Sequence, residues 1–157
     1  MDASLQQKKG FTLIEVVLVL AIAGLIFLIV FLALPALQRS QRDTQRKQDL
    51  SRFMSQITQY SSNRNGAVPN STSTLSSFVS GYLTNGGQTF NDPLTGSTYN
   101  VTYQSNKSVT PTEVGQLFYY QNAKCGDGDI DDSTGSRSLA AAVYVEQGQF
   151  TCQSNNN

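Results

Sequence analysis

The chain has 157 residues, with 11 cations, 11 carboxylates and no histidine. That length supports one domain plus a membrane segment but not two sizeable cores, and zero net charge gives the whole chain no bias toward nucleic acid. Without histidine, and with only two cysteines, a His-based triad and the usual zinc sites are excluded.

Residues 1–10 are a short polar leader that ends in Lys8, Lys9 and Gly10. Gly10 has no side chain, so its backbone can lie extended in a protease cleft. Phe11, Thr12, Leu13, Ile14 and Glu15 then open an uncharged run over residues 16–37. At about 1.5 Å per residue, a helix of about 22 residues crosses a hydrocarbon core of about 30 Å. A spanning helix has no need of Glu15. A carboxylate costs on the order of 2.5–3.5 kcal/mol near the bilayer centre, and less near the interface, so some later step must use it. An ordinary secretory signal would have a shorter apolar core and a small-x-small cleavage site. Residues 31–35 offer no such site. Within the run, Gly24 costs about 1 kcal/mol relative to alanine, and Pro35 removes a backbone donor, which predicts a kink.

The sequence Lys9-Gly10-Phe11-Thr12-Leu13-Ile14-Glu15, with Gly24 further along the apolar helix, resembles the N-terminus of type IV pilins and of the related pseudopilins of type II secretion. The resemblance implies an α+β pilin fold: a long N-terminal helix, half transmembrane and half amphipathic, packed on a C-terminal antiparallel sheet of about four strands. It divides the chain into a leader (1–10), a transmembrane and filament-core helix (11–37) and a globular head (38–157). It implies that a prepilin peptidase cleaves after Gly10 at the cytoplasmic face, and that Phe11 then carries a new, N-methylated amine. It also implies that Glu15 pairs with the amine of a neighbouring subunit. Within one subunit, the same carboxylate lies one helical turn from its own Phe11 amine and could pair there instead. The helix between a glycine and a proline often melts in such filaments, which assigns softening to Gly24 and Pro35; an ordinary kink at the membrane surface is the alternative. The partners implied are further copies of the chain, the peptidase and a membrane assembly machinery. The precursor would sit in the cytoplasmic membrane with its head outside the cytoplasm, and the assembled product would be a cell-surface filament. Charge counting alone points the other way, because Arg39, Arg42, Arg46, Lys47 and Arg52 follow the apolar run. We follow the resemblance, since Gly10-Phe11 must meet a cytoplasmic-side peptidase.

Beyond Pro35 the helix becomes amphipathic and is expected to reach about residue 60. Leu50, Phe53, Met54, Ile57 and Tyr60 form one apolar stripe. The other face carries Arg42, Asp43, Arg46, Lys47, Asp49 and Arg52, with Asp43 and Lys47 spaced as an i,i+4 pair. These charges read as a solvated face or as contacts to acidic groups on neighbouring subunits. Gly66 suits a left-handed helix cap. A short second helix follows, with Leu75, Phe78, Val79, Tyr82 and Leu83 on one face and Thr72 or Ser73 as N-cap. Asn85, Gly86 and Gly87 stop it. Asn91, Asp92, Pro93 and Gly96 mark a turn. Strands are expected over residues 98–103, 116–121, 139–145 and 149–153, antiparallel and with one face on the helix. Ala140, Ala141 and Ala142 would let that helix approach closely.

Behind an export segment, Cys125 and Cys152 favour a disulfide. Asp127, Asp129, Asp131 and Asp132 form the one dense carboxylate cluster. Their spacing could offer oxygen ligands to Ca²⁺, although Asp132 replaces the tight-turn glycine of an EF-hand and Ser138 its bidentate glutamate. A solvated acidic loop is the other reading, and no other cofactor is expected. The head's aromatic residues come without a basic patch, which argues against nucleic-acid binding by a single head. The function this implies is a structural subunit of a type IV pilus, not an enzyme. A type II secretion pseudopilin is the nearest alternative. A membrane-anchored enzyme or binding protein has no nucleophile motif or phosphate loop to support it.

Overall fold

The computed structural model describes residues 10–135 and 137–155. Residues 1–9 of the expected leader lie outside the described residues. The chain divides into two compact units, Met1–Gln38 and Arg39–Asn157. One α-helix, α1 (Leu13–Asn63), supplies the whole described helix of the first unit and the opening helix of the second.

In the second unit the helix ends where Asn65 and Gly66 both take the left-handed conformation, at φ 54° and 89°. The Gly66 amide donates back to the Ser61 carbonyl at 2.8 Å, the long bond of a Schellman-type cap. The short second helix, α2 (Thr72–Phe78), is capped one residue before the expected positions, Thr72 or Ser73. Ser71 is the N-cap, and it closes a reciprocal capping box with Thr74. A π-helical turn, Val79–Leu83, extends α2 to the expected stop at Asn85. Strands β1 (Asn100–Gln104), β2 (Gln116–Gln121), β5 (Leu139–Val145) and β6 (Gln149–Ser154) form a four-stranded sheet in the order β1-β2-β5-β6.

The sheet departs from expectation in one pairing. β2, β5 and β6 are antiparallel neighbours, but β1 and β2 run parallel, with Asn100 opposite Gln116 and Gln104 opposite Tyr120. Residues 105–115 join them, too long for a tight hairpin turn and long enough to cross over. The Tyr120 hydroxyl donates to the Val109 carbonyl at 2.6 Å and fastens this crossover.

The α+β fold is as the sequence implied. The stripe Leu50, Phe53, Met54, Ile57 and Tyr60 is buried against Leu117, Tyr119, Leu139, Ala141 and Val143 of the sheet. Phe53 sits among three rings, with centroids 5.5 Å from Phe78, 6.4 Å from Phe90 and 6.0 Å from Tyr119. The opposite sheet face is covered as well. A hairpin of β3 (Ala123–Cys125) and β4 (Ile130–Asp132) lies over Phe118, Tyr120, Ala140 and Ala142. Both faces of β5 are therefore buried, which accounts for its near-continuous apolar run. Only Ala141 of the three alanines faces the helix-side core; Ala140 and Ala142 make room for the hairpin.

The charged face of α1 is not simply solvated. Arg46 is fully buried and Asp43 nearly so. The Arg46 guanidinium grips Asp92 through two bonds, Nε to Oδ2 at 2.6 Å and Nη2 to Oδ1 at 3.1 Å. Its Nη1 donates to Asp43 at 2.8 Å and to Glu146 at 2.9 Å. Arg42 holds the same Glu146 through bonds of 2.6 and 2.7 Å. Asp43 therefore pairs with Arg46 rather than with Lys47. Asp92 also accepts from the amides of Leu94 and Thr95, so the expected Asp-Pro turn is closed around a buried carboxylate.

Two carboxylates in this network titrate low. Hydrogen bonding from Arg42, reinforced by Arg46, holds Glu146 down to about 2 from the ordinary 4.5. Burial alone would raise Asp92, but the bonds from Arg46 and the two amides outweigh it and keep its pKa below the ordinary value. Such depressed groups stabilise the fold above the unfolded carboxylate range, and that stability is lost as pH falls through their folded values. Asp49 works in the opposite sense: burial raises it despite a bond from the Tyr99 hydroxyl, so protonation relieves its desolvation. Arg46→Met leaves Asp92 and Asp43 without their buried partner and should lower stability by about 3–5 kcal/mol, read from urea unfolding at neutral pH. In the parent chain the urea midpoint should fall between pH 4.5 and about 2, and Glu146→Gln should flatten that fall. An unchanged midpoint in Arg46→Met would contradict the role given to the network.

Candidate assembly site at the start of the first helix

The described residues of the first unit enclose no core. The large apolar side chains from Leu13 to Leu37 are exposed, and Phe11 ahead of them is 87% exposed. This is the one helix among the described residues that is long and apolar enough to cross a membrane.

Glu15 has a partner that the sequence reading did not assign. Its Oε2 accepts from the Thr12 amide at 3.2 Å and from the Thr12 hydroxyl at 3.1 Å. In return, the Glu15 amide donates to the Thr12 hydroxyl oxygen at 3.4 Å. The Thr12 carbonyl accepts from the amides of Glu15 and Val16, which closes the first turn. This is the capping-box arrangement, with Thr12 as N-cap and Glu15 three residues on. The signal was present in the sequence as Thr-x-x-Glu ahead of an apolar run. The carboxylate thus has a local use in the uncleaved chain, where Phe11 is in peptide linkage to Gly10 and has no amine to offer.

The other expected residues fall as follows. Gly10 and Phe11 are exposed just ahead of the helix. Helical assignment runs unbroken through Gly24 and Pro35, although Pro35 supplies no N–H to the Phe31 carbonyl. A Cβ built on Gly24 would meet nothing within 4 Å, so no packing inside this chain requires that glycine. Cys125 and Cys152 are joined as a disulfide with their Cα atoms 5.8 Å apart, which ties β3 of the hairpin to edge strand β6.

The aspartate cluster is not one loop. Asp127 and Asp129 lie in the hairpin turn, whereas Asp131 and Asp132 are residues of β4. Asp132 pairs with Lys107 of the crossover at 2.5 Å. Among the described residues no three His, Cys, Asp or Glu side chains converge as a metal site would require. Ile130, between the aspartates, is only 5% exposed and is what draws this stretch onto the sheet.

Residues 5–31 match the prokaryotic N-terminal methylation motif, the type IV prepilin signature. Comparison of the chain with curated proteins and with solved structures finds no match. The motif supports a pilin- or pseudopilin-like precursor and points to a structural subunit. With the apolar helix, it also points to membrane anchoring.

Loss of an N-cap side chain costs a helix about 1 kcal/mol. Thr12→Val should therefore speed amide exchange in the first turn of α1, at Glu15 and Val16, by roughly fivefold, measured on the full chain in detergent micelles. Unchanged exchange there would mean that the capping box contributes nothing.

Proposed function

We propose that this chain is the structural subunit of a type IV pilus, made as a membrane-anchored prepilin and assembled through α1. The observation that carries the reading is the methylation motif over residues 5–31, which runs into an apolar helix whose large side chains no described residue covers. Prepilin peptidase cuts between Gly10 and Phe11, and the freed Phe11 amine is methylated. The membrane assembly machinery then moves the subunit from lipid into a bundle of identical helices. That bundle replaces the acyl chains as the surroundings of the apolar side chains. Gly24 gives a neighbouring backbone a place to approach closely. Pro35, which leaves one helical carbonyl unsatisfied, is where the helix softens as the subunit enters the filament.

In this mechanism Glu15 changes partner. Before cleavage it caps its own helix through Thr12. After cleavage it pairs with the methylated amine of an adjacent subunit and sets the register between them. An unpaired carboxylate in such a bundle costs several kcal/mol, so the pair favours the aligned arrangement over misaligned ones. A polar, disulfide-closed head suits a filament exposed outside the cell and favours the pilus over a periplasmic secretion pseudopilus.

Two variants separate docking from capping. As the sole subunit, Glu15→Ala should be inserted and cleaved normally but yield few or no surface filaments, with mature subunit accumulating in the membrane. Thr12→Val loses the cap yet keeps the carboxylate, and should still assemble. Normal filament yield from Glu15→Ala would refute the docking role. Equal loss in both variants would assign the defect to the helix cap instead.

A further inference from the structure

A cavity of about 400 Å³ opens in the second unit between the C-terminal turn of α1 and the chain around β5 and β6. That volume is in the range of small-ligand sites. Its lining sets the polar side chains of Thr58, Ser61, Ser62, Asn65, Asn155 and Arg137 beside the apolar ones of Val68 and Leu139, with no aromatic side chain. The unpartnered groups in it are the informative ones. Arg137 makes no side-chain hydrogen bond or ion pair with any described residue, and neither the Ser61 hydroxyl nor the Asn65 carboxamide has a partner among them. The other cation at this corner is already engaged: the Arg64 guanidinium lies 4.8 Å from the centre of the Tyr60 ring.

The surrounding structure positions these groups. Gly66, which its φ of 89° requires, lies against the guanidinium: a Cβ there would meet Arg137 Nη2 at 3.4 Å, an ordinary contact distance. Asn155 holds the backbone under Arg137: its Nδ2 donates to the Arg137 carbonyl at 2.8 Å, and its Oδ1 accepts from the Leu139 amide at 2.7 Å. The Thr58 hydroxyl donates to the Met54 carbonyl and the Ser62 hydroxyl to the Thr58 carbonyl, at 2.9 and 3.0 Å, so both oxygens remain available as acceptors. A second cavity, of about 390 Å³, shares Thr58 and Asn155 with the first and continues the polar face along α1 and β6.

We propose that this cavity binds a saccharide bearing a carboxylate, of the uronic-acid class. A lone guanidinium matches one planar carboxylate through two parallel bonds. The hydroxyl and carboxamide groups around it match the alternating donors and acceptors of a sugar ring. The lining also disfavours other anions. It has no aromatic platform for a nucleobase, and a single cation is too few for a polyphosphate backbone. The site is independent of the filament reading, because every group in it lies in the head and none in the apolar helix.

The test is NMR titration of the full chain in detergent micelles with D-glucuronate, D-glucose and glutarate. Glucuronate should give saturable shifts centred on Ser61, Asn65 and Arg137, and glucose and the bare dicarboxylate should each bind at least about tenfold more weakly. Arg137→Gln removes an exposed, unpaired side chain, so the rest of the spectrum should be unchanged while glucuronate affinity falls about tenfold or more. Ser61→Ala should weaken it by a smaller factor. Raising the salt concentration should weaken glucuronate binding in the parent chain and not in Arg137→Gln. The proposal is overturned by an absence of saturable shifts, by shifts centred elsewhere, or by full affinity in Arg137→Gln. It is equally overturned if glutarate binds as tightly as glucuronate.

Discussion

The head is organised around one buried cation. Arg46 projects from α1 and takes hold of Asp92, in the turn before the sheet, and Glu146, in the turn between β5 and β6. Asp43, one helical turn earlier, completes the grip and also accepts from the Glu146 amide at 2.9 Å. Three segments far apart in sequence are thereby fixed at one point. Each ion would be costly to bury alone, and the guanidinium fork makes the group tolerable by filling four of its five N–H positions. The hydrophobic stripe supplies contact area but little direction. The ion network adds direction, and it sets which turn of the helix meets which turn of the sheet.

The first unit solves the opposite problem. Its large apolar side chains from Leu13 to Leu37 are exposed and none is covered by a described residue, so their cover has to be sought elsewhere. Lipid can supply it, and so can further copies of the same helix. Moving from one to the other changes little in apolar exposure, because lipid tails and leucine side chains are similarly apolar. The difference must come from close packing and from the few polar groups available. Glu15 is the only carboxylate in that helix stretch, and Gly24 is a position at which a second backbone could come near. An isolated membrane anchor would use Glu15 only as a helix cap and would have no use for Gly24.

Much of this was legible in the sequence, because the signals were periodic or chemically singular. The stripe from Leu50 to Tyr60 identified the buried helix face, and the strands fell close to their expected positions. What was not legible depended on contacts distant along the chain. Nothing local distinguishes Arg46, which is buried, from Lys47 beside it; the difference lies in Asp92 and Glu146, about 46 and 100 positions further on. The parallel pairing of β1 with β2 was hidden because strand periodicity carries no direction. The β3–β4 hairpin was hidden by its aspartates, although Ile130 among them was the apolar residue that had to be buried. At the N-terminus, Glu15 fits two roles, a buried ion partner and the third residue of a capping box, and only the bonds to Thr12 distinguish them.

The central claim is that the chain matures by losing its leader and then forms filaments through the exposed helix. Mass spectrometry of the subunit in filaments sheared from the cell surface tests it most directly. The account predicts a mature chain that begins at Phe11, carries a single methyl group on its α-amine and retains the Cys125–Cys152 bond. Filaments whose subunit begins at Met1, or surface filaments that lack this chain altogether, would contradict it.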